Sequence, residues 1–204
     1  MIKNFKNFNI LNENADLNWE FEKAVKNNDI ETVYLLLQDP NVDLSVNDNY
    51  PIQIASRYGY YKIVKLLLND SRIDPSVDDN YPIGSSAENG HYEVVKLLLN
   101  DPRVDPADDD NYAIKHAAAN GHLKIVKLLL NDSRVDPSAK NNYAIKHAAV
   151  NGHYDVVKLL SRDPRVLKKL TFNDIKKYNL VDTVLKILNL DTEEELSLYL
   201  NLTL

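Results

Sequence analysis

The fold is decided by the stretch Tyr112-Ala-Ile-Lys-His-Ala-Ala-Ala-Asn-Gly-His-Leu-Lys-Ile-Val-Lys-Leu-Leu-Leu130. Its first half reads as a helix from about Tyr112 to Asn120, with Asn111 placed as an N-cap. Ala117 and Ala118 are small enough for a neighbouring unit to approach closely. Gly121 supplies the positive φ that ends the helix. From about Leu123 to Asn131, the residues Ile125, Val126, Leu128, Leu129 and Leu130 recur at helical spacing and predict core. Lys124 and Lys127 lie between them and predict the solvent face. Arg134-Val-Asp-Pro137 then predicts an extended return, because proline cannot continue a helix.

Outward from this stretch the pattern repeats every 31 residues, at Gly59, Gly90, Gly121 and Gly152. Tyr50, Tyr81, Tyr112 and Tyr143 keep the step, as do Ile52, Ile83, Ile114 and Ile145. Leucine runs follow at 66–68, 97–99 and 128–130, and the fourth is broken by Ser161. Trp19, Phe21, Ala24 and Leu35–Leu37 extend the register backward, with Asn28 where the glycine would be. The expectation is five repeats over residues 18–166, at about 18–48, 49–79, 80–110, 111–141 and 142–166, the first degenerate as a terminal unit. No unit can bury its apolar face alone. Stacking buries it, each Leu, Ile or Val contributing roughly 1.5–3 kcal/mol.

Tyr112-Ala-Ile-Lys-His-Ala-Ala-Ala-Asn-Gly-His122 resembles the ankyrin pattern T-P-L-H-x-A-A-x-x-G-H, and Tyr50-Pro-Ile52 and Tyr81-Pro-Ile83 keep its proline. Ile125-Val-Lys-Leu-Leu-Leu130 resembles the second ankyrin helix. The likeness covers about residues 18–166. It implies an all-α, ankyrin-like solenoid of stacked helix-turn-helix repeats with short hairpin loops. It also implies a non-catalytic scaffold that binds a partner protein through its concave face and hairpin tips. The unit is shorter than the usual ~33 residues, and the motif histidine is replaced by Gln53, Gly84, Lys115 and Lys146. The shortening falls before the tyrosine, so a clipped β-hairpin is expected. The variant with Asp-Asn-Tyr-Ala-Ile and Asp-Pro-Arg-Val-Asp-Pro is similar to arrays of amoebae and their giant viruses, where virus–host interaction is one setting.

The two ends differ. Residues 1–17 are rich in asparagine, lack periodicity and are expected as a loose arm. From Leu167 the 31-residue register is lost. Two capping boxes, Thr171-x-x-Asp174 and Thr192-x-x-Glu195, enclose an amphipathic pattern at Ile175, Leu180, Val181, Val184, Leu185 and Leu188. Residues 167–204 are therefore expected as a helical C-terminal cap. The alternative is a tail that docks the array onto a multiprotein enzyme, as an adaptor recruiting substrates to a ubiquitin ligase.

Composition narrows the function. With 204 residues, 44% apolar and 26% charged, the chain reads as an ordinary globular protein. The formal charge of −6 disfavours nucleic acid as a partner, since phosphate binding needs a basic footprint. The chain has no cysteine, which excludes disulfides, thiolate nucleophiles and cysteine-ligated zinc. No stretch approaches the ~18 apolar residues of a membrane span. No export signal is recognisable at the beginning. A cytoplasmic monomer without cofactors, not bound to membrane, is the expectation.

Candidate chemistry is sparse. No phosphate-binding glycine loop or nucleophile elbow occurs. His153 and Asp155 are close in sequence, but no nucleophile completes a triad. His91, His122 and His153, like His116 and His147, share repeat positions and predict a ladder bonded to local backbone. A converging metal site is not expected. No catalytic residue and no metal ligand is assigned.

Charge at the predicted tips varies instead. Between the turn aspartate and the tyrosine, the formal charge runs −2 in residues 43–49, −3 in 74–80, −4 in 105–111 and zero in 136–142. The candidate partner-binding residues are Asp48, Asp78, Asp79, Asp108, Asp109, Asp110 and Lys140 at the tips. Arg57, Tyr58, Glu88, Asn89, Asn120 and Asn151 join them at the ends of the first helices. A partner with a basic patch would be steered by such an acidic lip. The second helices carry Lys62, Lys65, Lys96, Lys124, Lys127 and Lys158, read as a solvated face.

Overall fold

The computed structural model describes residues 16–202, and among them every regular element is a helix. Five helix pairs follow the repeat. They are α1 (Leu17–Lys26) with α2 (Ile30–Leu37), α3 (Val46–Arg57) with α4 (Tyr61–Leu68), α5 (Val77–Glu88) with α6 (Tyr92–Leu99), α7 (Asp108–Ala119) with α8 (Leu123–Leu130), and α9 (Ala139–Val150) with α10 (Tyr154–Leu160). Then come α11 (Pro164–Lys169), α12 (Phe172–Lys177), α13 (Val181–Leu188) and α14 (Glu193–Leu202). The chain forms two compact units: residues to Ser86 with Glu93–Asp105, and Ala87–Tyr92 with Pro106 onward. The arm expected over residues 1–17 lies, up to residue 15, outside the described residues. Asp16 caps α1, accepting from the backbone N–H groups of Asn18 and Trp19.

The core follows the repeated positions. In the first unit Phe21, Ile52, Ile63, Leu67 and Ile83 are buried. In the second, Ile114, Ala117, Ala118, Ile125, Val126 and Leu129 are buried, while Leu128 and Leu130 are half-buried and Lys124 and Lys127 exposed. Each turn glycine has φ between 73° and 82°. The residue after it closes the turn by donating its N–H five residues back, as in His122 to Ala117 and His153 to Ala148.

The expected hairpins are absent: no strand occurs among the described residues. Each tip is instead one left-handed turn of backbone. Asn47, Asp48 and Asn49 have φ of 50–56°, and Asp109, Asp110 and Asn111 have φ of 46–64°. The same holds at Asp78–Asn80 and Lys140–Asn142. The turn is closed by the last residue's N–H donating four residues back, Asn49 to Ser45 at 2.9 Å and Asn111 to Ala107 at 2.8 Å. A left-handed turn costs an ordinary L-residue roughly 1–2 kcal/mol. Asn and Asp tolerate it best, and they fill these positions except for Lys140. The right-handed part of α7 therefore begins at about Tyr112, as expected, but Asn111 does not cap it with its side chain, which accepts from the Asp136 N–H instead.

The side chain of the last turn residue secures the tip. Asn18 Oδ1 accepts from Asp43 N–H at 2.9 Å, Asn49 from Asp74 at 2.8 Å, Asn80 from Asp105 at 2.8 Å and Asn111 from Asp136 at 2.6 Å. Each bond ties the start of a first helix to the irregular return segment 25 residues on. Asn142 instead donates through Nδ2 to the Val166 carbonyl at 3.1 Å.

Beyond Leu167 the 31-residue register ends, but the local geometry does not. Helices α12 and α13 form a shortened pair. Asn179, at φ 53°, replaces the turn glycine, and Leu180 donates to Ile175 five residues back. Thr171 and Asp174 make the expected capping box, and Thr192 and Glu195 bond reciprocally at the start of α14. Val166, Leu170, Ile175, Leu180, Val184 and Leu196 are buried, whereas Val181, Leu185 and Leu188 are half-buried.

Candidate interaction surface

In the first unit, the tip carboxylates of Asp48, Asp78 and Asp79 are exposed and make no ion pair among the described residues. The tip at 47–49 is braced: Asn47 Nδ2 donates to Glu22, and Gln53 Nε2 donates to the Asp48 carbonyl at 2.7 Å. Gln53 stands where the ankyrin pattern has histidine, so this position holds the turn in shape. At the end of α3, Arg57 is exposed and Tyr58 is 56% exposed, its ring stacked 5.8 Å from that of Tyr60.

In the second unit, Asp109 and Asp110 are exposed and Asp108 is half-buried. Asp108 Oδ1 accepts from the Asp109 N–H at 2.9 Å. Lys140 pairs with Asp110 at 2.6 Å, and that hydrogen bond holds the Asp110 carboxyl below its ordinary pKa. Lys140 therefore offsets part of the tip's negative charge within the unit. Lys115, only 8% exposed, donates to the Asp109 carbonyl at 3.1 Å, doing for this tip what Gln53 does for another.

Below the tips runs an aromatic column. Tyr112 stacks on His116 at 3.9 Å, Tyr143 on His147 at 3.8 Å, and His116 meets Tyr143 at 5.7 Å. Tyr112 Oη donates to Glu88 at 3.1 Å, and Glu88 lies 3.8 Å from His116 Nδ1. Burial lowers the His116 pKa, and the Glu88 charge pulls the other way without reversing it.

Two candidate binding residues are engaged inside the fold. Asn120 Nδ2 donates to the Glu88 carbonyl at 3.0 Å, and Asn151 Nδ2 to the Ala119 carbonyl at 2.7 Å. Both side chains satisfy helix-end carbonyls of the preceding repeat. His122 Nε2 meets the same Glu88 carbonyl at 2.9 Å, a contact 34 residues back, where local backbone was expected. Asn89 is exposed, and Glu88 is half-buried.

The sequence reading missed a second ladder. Arg72, Arg103, Arg134 and Arg165 each grip the aspartate two residues before with Nε and Nη2, at 2.6–3.0 Å. Guanidinium groups of this ladder also donate to carbonyls about 30 residues back. Arg72 reaches Leu37, Asp39 and Val42, Arg103 reaches Leu68 and Ile73, and Arg165 reaches Val135. At the equivalent place in the first repeat stands Asn41, whose Nδ2 donates to Asp39 Oδ1 at 3.0 Å. The signal was present, since Asp and Arg recur together every 31 residues.

Left-handed tips, first-helix ends and cross-repeat side-chain bonds define a helix-turn-helix repeat protein. The family model for ankyrin repeats, in three copies, matches residues 21–110 and again 83–169. The chain therefore belongs to the ankyrin repeat family. Comparison with curated proteins gives no match. Ankyrin repeats are general protein–protein interaction modules, and the family is typically non-catalytic. Among the described residues no helix is long and apolar enough to cross a membrane.

Proposed function

We propose that this chain is a non-catalytic scaffold that holds a partner protein bearing a basic patch, through its left-handed tips and first-helix ends. The carrying observation is the exposure of Asp48, Asp78, Asp79 and Asp109 on turns whose backbone is pinned by Asn side chains. Charge held on a rigid loop loses little entropy on binding and speeds encounter with an opposite charge. Arg57 and Tyr58 add residue types enriched in binding hot spots. Asn120 and Asn151 contribute through the repeats they hold in place. The adaptor alternative has less support, because Val166, Leu170, Ile175, Leu180, Val184 and Leu196 of the C-terminal region are buried within their own unit, leaving Leu198 and Tyr199 as its exposed large apolar side chains.

The test is affinity purification from the native host, followed by binding measurements on Asp78→Lys/Asp79→Lys and Asp108→Lys/Asp109→Lys. Reversal is expected to weaken the captured partner at least tenfold, about 1.4 kcal/mol or more, and to flatten its salt dependence. Unchanged affinity and salt slope sink the reading. Capture that survives these reversals but is lost on deleting residues 167–204 favours the adaptor.

A further inference from the structure

In the second unit, the ends of α5 and α7 are covered by the following repeat in one recurring way. The His122 ring lies over Gly90, where an added Cβ would come within 2.7 Å of Cε1. His122 Nε2 and Asn120 Nδ2 both bond the Glu88 carbonyl. One repeat on, the His153 ring lies over Gly121, where a Cβ would come within 2.5 Å of Nδ1, and Asn151 bonds the Ala119 carbonyl. Gly152 is next in register, and nothing lies within 4 Å of its Cβ position. The Val150 carbonyl, the counterpart of Glu88 and Ala119, accepts no side-chain hydrogen bond among the described residues.

The cause is the short α12. Its positive-φ closing residue, Asn179, follows Gly152 by 27 residues where the repeat spacing is 31. A turn is missing, and the end of α9 stays uncovered. Val150 is 66% and Tyr154 71% exposed, whereas Ala119 is buried and Leu123 half-buried at the equivalent places. Beside this edge, a surface concavity of about 320 Å³ lies between the fourth and fifth repeats, lined by Gly121 and Leu123 on one side and Gly152, His153 and Tyr154 on the other.

We propose that this edge docks a helix-turn segment of a partner protein that presents a histidine just after an asparagine. The chain's own repeats show the complementary chemistry. The imidazole covers Gly152 and donates to the Val150 carbonyl, a carboxamide shares that carbonyl, and apolar flanks pack on Val150 and Tyr154. Asp155 at the rim favours a donor there over an acceptor. The chain's own first repeat does not fit, because Asp29 stands at the histidine register and a carboxylate cannot donate to a carbonyl. The site is independent of the acidic tips.

The probe is a lactam-stapled helical peptide with the sequence of residues 120–130, titrated into the ¹⁵N-labelled full chain. Saturable amide shifts are expected at Val150, Asn151, Gly152 and Tyr154, with a dissociation constant of order 1 mM. Replacing the peptide's histidine by phenylalanine should weaken binding about tenfold, the value of one well-made hydrogen bond. Val150→Lys/Tyr154→Lys should abolish it. Both side chains are exposed, and an otherwise unchanged amide spectrum verifies the fold. Absence of saturable shifts, shifts centred elsewhere, or equal binding of the phenylalanine peptide overturns the proposal. So does concentration-dependent self-association of the unmodified chain through Val150 and Tyr154, which assigns the edge to a second copy.

Discussion

Arg103 donates to the Ile73 carbonyl at 2.9 Å while its guanidinium holds Asp101 by two further hydrogen bonds. One side chain thus shapes its own turn and ties it to the preceding repeat. Arginine is suited to this because its planar fork satisfies a carboxylate with one edge and carbonyls with the other. Lysine has the charge but not the fork. Arg103→Lys is expected to lower stability by about 1–2 kcal/mol, discounted for the partial exposure of the guanidinium. Urea unfolding with an unchanged m-value checks this.

The same ladder sets an acid limit. Hydrogen bonds from the arginine hold the carboxyls of Asp70, Asp101, Asp132 and Asp163 below their ordinary pKa of 3.8, against burial, which pushes them up. A depressed folded pKa contributes stability that is fully present above the unfolded value and is lost as pH falls through the folded one. The urea midpoint should therefore hold down to about pH 4 as far as these groups are concerned, then fall. In the variant with all four arginines changed to lysine, the fall attributable to them should shrink. A titration between pH 6 and pH 2.5 reads this directly.

Asn111 does two jobs, and substitution separates them. Its φ is 64° and its Oδ1 accepts from Asp136 at 2.6 Å. Asn111→Asp keeps both an acceptor and tolerance of positive φ. Asn111→Gly keeps only the second, and Asn111→Ala keeps neither. Losses of stability should rank Ala above Gly above Asp, with Ala at about 2 kcal/mol. Equal losses for Ala and Gly would show that the backbone conformation costs little.

Repeat number, helix pairing and core were legible because apolar positions, glycines and small residues recur in one register. The tips were not. Asp109-Asp-Asn111 reads equally as a polar turn, a solubilising charge cluster or an N-cap. Only backbone angles distinguish three successive left-handed residues from these. The end roles of Asn120 and Asn151 were hidden for a related reason. A polar residue before a turn glycine signals exposure, and both are exposed, but exposure does not reveal a bond to a carbonyl 32 residues back. The shortened α12–α13 pair escaped a fixed 31-residue register because its turn falls four positions early.

Lys146 links the last full repeat to the C-terminal helices. It is 7% exposed and pairs with Asp174 at 2.9 Å. Burial works against the Asp174 carboxylate, but hydrogen bonds from Lys146 and Thr171 outweigh it and lower its pKa. Lys146→Met leaves that carboxylate partly buried without its cation, at an expected cost of about 2–3 kcal/mol. Lys146→Met/Asp174→Leu should cost less than the two single losses added. Full additivity in the double-mutant cycle would show that the pair is not coupled.

Gly121 and Gly152 share a backbone conformation, φ 76° and 77°, but differ in their surroundings. Alanine at either position pays the left-handed penalty, roughly 1 kcal/mol. At Gly121 the new Cβ also meets the His153 ring at 2.5 Å, well inside contact distance. That ring must move and disturb the packing of α10 on the preceding repeat. At Gly152 the Cβ enters open space. Gly121→Ala should therefore cost about 2–3 kcal/mol in total and Gly152→Ala only about 1 kcal/mol. Replacing His153 by alanine in the Gly121→Ala background removes the clash and should recover part of the difference, while leaving Gly152→Ala unaffected. Equal costs at the two glycines, measured by urea unfolding, would mean that His153 yields freely and that the covered and uncovered helix ends are energetically alike.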